Sequence, residues 1–262
     1  MQLGLSSLYL ISKPFEQLLH SIELHDVQLW EMVDENSLKL DKQRIQTLRQ
    51  LKRKKDLELT VHAPFADINI ASLVPEIRKI SIKRLEESLG YASELEAAAW
   101  VMHPGQRGPL TSFYPEEEWR LNVDAIMEMT DLGEELDVKV CVENMPRGIP
   151  LLMDDPESFD RIYEETGKNR FKMVLDIGHA NTSCGAIEFL DRLKSEIVHI
   201  HAHDNNGRLD SHDEIGRGTV NWQGLAKRIK ESPCRTVVVE STKGVDVSLE
   251  RLRELLGAPT GQ

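Results

Sequence analysis

Six apolar segments of this chain each finish on a side chain that can ligate a metal ion or move a proton: Thr60-Val61-His62, Val101-Met102-His103, Cys141-Val142-Glu143, Leu175-Asp176, His199-Ile200-His201 and Val238-Val239-Glu240. Imidazole and carboxylate are the donors that zinc, manganese and magnesium take from proteins, and they are also the usual proton carriers. One histidine or one acid at such a position is ordinarily a hydrogen-bonded structural residue. The whole set is different. Three carboxylates and three imidazoles crowded in apolar surroundings lose hydration and repel one another unless a cation compensates. Arg107, Arg147, Arg208 and Arg217 lie beyond the segment ends, better placed to meet a substrate than to neutralise the acids. Two further candidates are His179, three residues after Asp176, and the pair in Asp210-Ser211-His212. His199 is expected one layer deeper in a supporting role. His203 is an alternative to His201, Cys141 a core residue below Glu143, and His20 and His25 structural.

The elements that must position these residues alternate regularly. Strand-like runs are expected at Leu3–Leu8, Val27–Trp30, Leu57–His62, Trp100–His103, Val138–Glu143, Phe171–Asp176, Ile197–His201 and Thr236–Glu240. Each precedes a helical pattern, such as Leu38–Lys54 with Ile45, Leu48 and Leu51 at helical spacing. Eight strand–helix units in succession imply parallel pairing with crossover helices, and eight close into a (β/α)8 TIM barrel. Barrel active sites lie at the C-terminal ends of the strands, where the six residues fall, and period-two alternation turns them inward. A doubly wound sheet would want a glycine-rich phosphate turn after the first strand, and Gly4-Leu5-Ser6-Ser7 is not one.

The chain's 262 residues match the roughly 250 of one barrel. We expect a single domain over residues 1–257 and a loose tail over 258–262. Three widely spaced cysteines argue against a disulfide framework and fit a reducing compartment. With no signal-like N-terminus and no apolar run of membrane-spanning length, a cytoplasmic location without membrane partners is expected. A net charge of −12 counts against a general nucleic-acid binder, because phosphate neutralisation supplies such proteins' affinity. Leu110, Phe113, Tyr114 and Trp119, after His103, are expected to pack on the barrel's own helices rather than form a lid or partner surface.

Several stretches, in order along the chain, resemble the xylose isomerase-like TIM-barrel superfamily, which includes endonuclease IV (AP endonuclease family 2) and many sugar isomerases and epimerases. They are Val61-His62-Ala63-Pro64-Phe65, His103-Pro104-Gly105, Val142-Glu143-Asn144, Leu175-Asp176-Ile177-Gly178-His179, His201-Ala202-His203-Asp204, Asp210-Ser211-His212 and Val239-Glu240. Similarity to endonuclease IV implies up to three zinc ions. His62, His103 and Glu143 would hold the first. Glu143 would bridge to a second, held also by Asp176, His201 and Glu240. His179, Asp210 and His212 would hold the third. Similarity to the sugar isomerases implies one ion on positions like Glu143, Asp176, a strand-seven histidine and Glu240, for which manganese or magnesium would also serve. The acidic run Glu31-Met32-Val33-Asp34-Glu35, read as a loop, departs from a DNA-gripping surface. The segments Asp204–Arg208 and Gly216–Trp222 look more like isomerase-type members.

Two functions follow. The nine-residue set places first a phosphoester hydrolase, in which metal-activated water attacks phosphorus. Glu143 would bridge the ions, and Arg147 or Arg208 would contact phosphate. Its substrate would be abasic DNA or a smaller phosphorylated compound. The second is a sugar or sugar-phosphate isomerase or epimerase, in which Glu143 and Glu240 shuttle a proton. A barrel that binds metal without catalysis is a third reading, disfavoured because no ligand position is substituted.

Overall fold

The computed structural model describes residues 1–168 and 170–257. The tail expected over 258–262 lies outside the described residues. Eight parallel strands form a closed barrel in sequence order: β1 (Gln2–Ser6), β2 (Leu29–Val33), β3 (Glu58–His62), β4 (Trp100–Met102), β5 (Val140–Glu143), β6 (Lys172–Asp176), β7 (Ile197–Ala202) and β8 (Thr236–Val239), with β8 pairing back onto β1. Around it run α1 (Phe15–Leu24), α2 (Lys42–Lys55), α3 (Pro75–Glu94), α4 (Glu117–Glu135), α5 (Pro156–Thr166), the short α6 (Ile177–Asn181), α7 (Ala186–Leu193), α8 (Trp222–Glu231) and α9 (Val245–Leu256). The (β/α)8 expectation holds.

Local chemistry sets the boundaries. The helix expected from Leu38 begins at Lys42, because Asp41 accepts the Arg44 amide at 2.9 Å as a helix cap. Leu38 and Leu40 are instead buried in and after a 3-10 turn over Asn36–Leu38. Ile45, Leu48 and Leu51 then face the barrel, as their spacing requires. Most of the apolar core lies between strands and helices and includes the fully buried Trp30, Trp100, Phe159 and Phe189. Inside the barrel is a second, small cluster of Ala99, Val101, Cys141 and Val174. This plug floors the polar mouth above it. Cys141 belongs to it, and burial pushes its thiol up to about 12, so it stays protonated at neutral pH.

Two expectations fail here. β2 runs to Val33, so the acidic stretch from Glu31 is not a DNA-facing loop. Glu31 and Asp34 are fully buried. Asp34 pairs with Arg84 of α3 at 2.7 Å and accepts the Leu40 amide at 2.7 Å. Glu35 accepts the Phe65 and Ala66 amides, both at 3.0 Å, tying down the loop after β3. These acids organise the barrel and carry no information about DNA. Second, Leu110, Phe113 and Tyr114 do not pack on the barrel; Phe113 is 74% exposed. Only Trp119 behaves as expected, half-buried with the Arg161 guanidinium 4.3 Å above its ring. Among the described residues, no helix is long and apolar enough to cross a membrane.

Candidate metal centre

The alternation that buries Val101, Cys141 and Val174 in the plug carries Glu143, Asp176 and their neighbours inward one step nearer the mouth. Glu143 is the hub. One carboxylate oxygen lies 3.0 Å from His201 Nδ1, and the other lies 3.3 Å from His62 Nε2 and 3.2 Å from His103 Nε2. Glu240 lies 3.6 Å from His201 Nδ1, and its other oxygen accepts the Ser6 hydroxyl at 3.3 Å. Asp176 caps α6, where Oδ1 accepts the His179 amide at 2.6 Å. Its Oδ2 is left buried with no hydrogen-bond partner, 4.0 Å from His201 Nδ1. Ligand atoms of Glu143, Asp176, His201 and Glu240 all lie within 4.8 Å of one another. A second group, His179, His203, Asp210 and His212, meets the same limit nearer the loops.

The histidines are turned as ligands are. His62 Nδ1 faces the Ala63 carbonyl at 2.8 Å, His179 Nδ1 the Asn144 carbonyl at 2.8 Å, and His212 Nδ1 the Glu240 carbonyl at 3.0 Å. A carbonyl only accepts, so each Nδ1 carries the proton and each Nε2 lone pair faces the carboxylates. This is the arrangement that outer hydrogen bonds impose on metal-binding imidazoles. Asp176 Oδ2, Asp210 Oδ1 and His203 Nε2 are buried and lack hydrogen-bond partners. Unpaired buried polar atoms at such a density are costly, and one divalent cation satisfies several at once. The residues therefore fit a divalent ion.

Protons do this work when metal is absent. Burial opposes charge on His62, but the Glu143 carboxylate carries its pKa up to about 9. Burial likewise opposes charge on His212, which Asp210 raises to about 9. Burial opposes ionisation of Glu143, yet His201, His103 and His62 hold it well below the usual carboxylate range. A histidine raised in the folded state stabilises the fold below its unfolded value, near 6.5, and that contribution is lost as pH climbs through about 9. The chelated protein should therefore lose thermal stability between pH 6.5 and 9. With saturating metal the trend should weaken or reverse, because ligation requires deprotonated imidazoles. Melting curves with and without chelator check this; identical curves would contradict it.

The structure also shows what sequence reading missed. Glu31 sits in the barrel interior with its carboxylate 3.0 Å from His201 Nε2 and 3.3 Å from His199 Nε2, and accepts the Thr60 hydroxyl at 3.1 Å. It thus holds the edge of His201 opposite to Glu143. The available signal is a lone acid inside Leu29-Trp30-Glu31-Met32-Val33, beyond the Trp30 end that the sequence suggests for this strand. Seven of the nine histidines, all except His20 and His25, gather in this region. Arg147 and Arg208 do not reach it. Arg147 pairs with Asp154 at 2.8 Å outside the mouth, and Arg208 is exposed on the loop after β7. Neither guanidinium lines the cavity above the centre, although Met145, Pro146, Ile149 and Leu151 of the loop bearing Arg147 do.

Above the centre is a cavity of about 440 Å³. Its floor includes His62, His103, Glu143, Asp210, His212 and Glu240, its walls include Leu8, Ile11, Phe65, Met145, Ile149 and Leu151, and among the described residues no lysine or arginine lines it. Imidazole and carboxylate donors around one cavity, at the C-terminal mouth of a (β/α)8 barrel, define a barrel with a divalent-metal-type site. The chain belongs to the xylose isomerase-like TIM barrel family, whose profile matches residues 17–255. It is 33% identical to an uncharacterised protein of Methanocaldococcus jannaschii over 234 residues, which is 88% of this chain and 80% of the relative. It is 26% identical to a probable endonuclease 4 of Mycobacterium leprae over 208 residues, 76% and 79% of the two chains. Among solved structures, a D-tagatose 3-epimerase-like protein is 33% identical, with TM-score 0.90 over 98% of this chain and 97% of that one.

Proposed function

We propose that the protein is a divalent-metal-dependent isomerase or epimerase of a small, unphosphorylated hydroxy-carbonyl compound of sugar type. The observation that carries this reading is the cavity: small-molecule sized, with apolar walls and no lysine or arginine among the described residues that line it. A phosphate group or a DNA backbone calls for arginine, lysine or other donors around it, and Arg147 and Arg208 stand outside. A neutral polyhydroxy ketone needs none. The likeness to the D-tagatose 3-epimerase-like structure supports the same reading.

A divalent ion on Glu143, Asp176, His201 and Glu240 would, when bound, polarise the substrate's carbonyl and adjacent hydroxyl and so acidify the C–H beside them. Glu143, on β5, and Glu240, just past β8, approach the cavity from well-separated points of the ring. Both carboxylates line the cavity, which places them to exchange protons with a substrate there. One, as the carboxylate, removes the proton from carbon, and the other, carrying a proton taken up from solvent, delivers that proton to the opposite face or to the neighbouring carbon. Ser6 steadies Glu240, and Glu31 fixes the ring of His201. Phe65, stacked on His103 at 5.5 Å, helps to keep water from the carbanion-like intermediate.

Phosphoester hydrolysis is a second reading. The outer group of His179, Asp210 and His212 and the endonuclease 4 relative favour it. Incubating metal-loaded protein with free ketoses and aldoses, and in parallel with an abasic-site duplex and a simple phosphodiester, separates the two. New sugar epimers or isomers are expected, with the phosphoesters intact; cleaved phosphoesters with unchanged sugars would overturn the proposal.

A further inference from the structure

Buried behind the outer group is an imidazole that neither reading uses. His203, one residue past β7, is fully buried, and its Nε2 lacks a hydrogen bond although Asp176 Oδ1 is 3.0 Å away. That oxygen is already engaged by the His179 amide. Nδ1 faces the Asp204 carbonyl at 3.4 Å, so it is Nε2 that turns toward Asp210, 3.6 Å from Oδ1. His179 Nε2 and His212 Nε2 each lie 3.1 Å from Asp210 Oδ2. Around a tetrahedral ion with zinc–nitrogen bonds near 2.0–2.1 Å, ligand atoms stand roughly 3.3 Å apart. These separations already approach that value. The fold also makes room for the fourth ring: a Cβ on Gly178 would sit 1.9 Å from His203 Cε1. The ring stacks on His212 with centroids 3.8 Å apart.

We infer that His179, His203, Asp210 and His212 form a closed four-ligand zinc site that staples the loop after β7 to the barrel, rather than an open position that takes part in the reaction. The inference rests on the proposed function, in that it assigns the substrate's ion to the inner group alone. Sites with four protein ligands are the structural kind, and catalytic sites keep one position for water or substrate. Three nitrogens and one oxygen suit zinc, while the oxygen-rich inner set also suits manganese or magnesium. The ligands come from three places: α6, the end of β7 and the returning limb of the loop. That limb is strained, since His212 has φ of +47°, a left-handed conformation that disfavours a non-glycine residue. The loop is pinned at its base, where Asp204 and Asp213 exchange backbone hydrogen bonds of 3.0 and 2.8 Å. Beyond that bridge His212 is held by the Glu240 carbonyl, 3.0 Å from its Nδ1, and by the Thr242 amide, which donates to its carbonyl at 2.9 Å, whereas among the described residues Asp210 meets the barrel side through His179 and His203 of the four-ligand group.

The test uses the full chain, stripped with chelator and titrated with zinc, while hydrogen exchange is followed at the amides of residues 204–213. Zinc is expected to slow that exchange. His203→Asn, which keeps an amide donor for the Asp204 carbonyl but lacks Nε2, should weaken the protecting ion by more than the roughly 100-fold ceiling for an outer hydrogen-bond partner. His203→Ala should do the same and is secondary, because it also leaves a cavity. Equal zinc protection in His203→Asn and wild type would overturn the inference and leave the proposed function standing. So would zinc uptake that gives wild type no protection at 204–213. Wild type that takes up no divalent ion at all would overturn both.

Discussion

Glu143→Gln is expected to reduce turnover by on the order of 10³–10⁴, the upper part of the range for a positioned acid or base, and to lower the affinity of the inner ion at the same time. The size follows from the crowding at this carboxylate. His62, His103 and His201 all lie within 3.3 Å of its oxygens. A glutamine must present an NH₂ to a group that carboxylate accepted from or shared a cation with, and it cannot carry the substrate proton. A second signature separates this from a general folding defect. The chelated variant should lose the part of the stability change between pH 6.5 and 9 that belongs to His62, because Glu143 raises that imidazole. Activity within tenfold of wild type would remove Glu143 from the chemistry.

Gly178→Ala is the largest expected effect on stability. The added Cβ would fall 1.9 Å from Cε1, 2.3 Å from Nδ1 and 2.5 Å from Nε2 of His203, inside the ring's own volume. The ring is buried, and overpacking of this kind costs about 3 kcal/mol or more. For a chain of this size that corresponds to a fall in Tm of roughly 6–12 °C. Shortening the partner relieves the clash, so Gly178→Ala with His203→Ala should be much less destabilised than the sum of the two single changes. Thermal melts of the four proteins check this. An unchanged Tm for Gly178→Ala would mean that the ring does not lie against α6.

The strand-end ligand positions were legible because each interrupts an apolar run at the place where barrel strands deliver side chains to the mouth. His62, Glu143, Asp176 and Glu240 could be found from alternation alone. Glu31 obeys the same rule but was hidden, because three acids within five residues look like a solvated loop. What buries Asp34 is Arg84, fifty residues away on α3, and no local pattern records that partner. His203 could be seen only as a rival to His201; its own role depends on Gly178 and Asp210 meeting it from other elements. The absence of Arg147 and Arg208 from the cavity lining was invisible for the same reason. Charge type can be read from sequence, but side-chain direction is set by contacts such as Arg147 with Asp154.

The central claim is metal-dependent proton transfer at carbon within the cavity, and deuterium wash-in measures it directly. Metal-loaded protein in D₂O is incubated with a panel of free ketoses and followed by NMR. The account predicts deuterium at one carbon beside the carbonyl of at least one sugar, abolished by chelator and by Glu143→Gln. No exchange into any hydroxy-carbonyl compound, from protein shown to carry its inner ion, would contradict it.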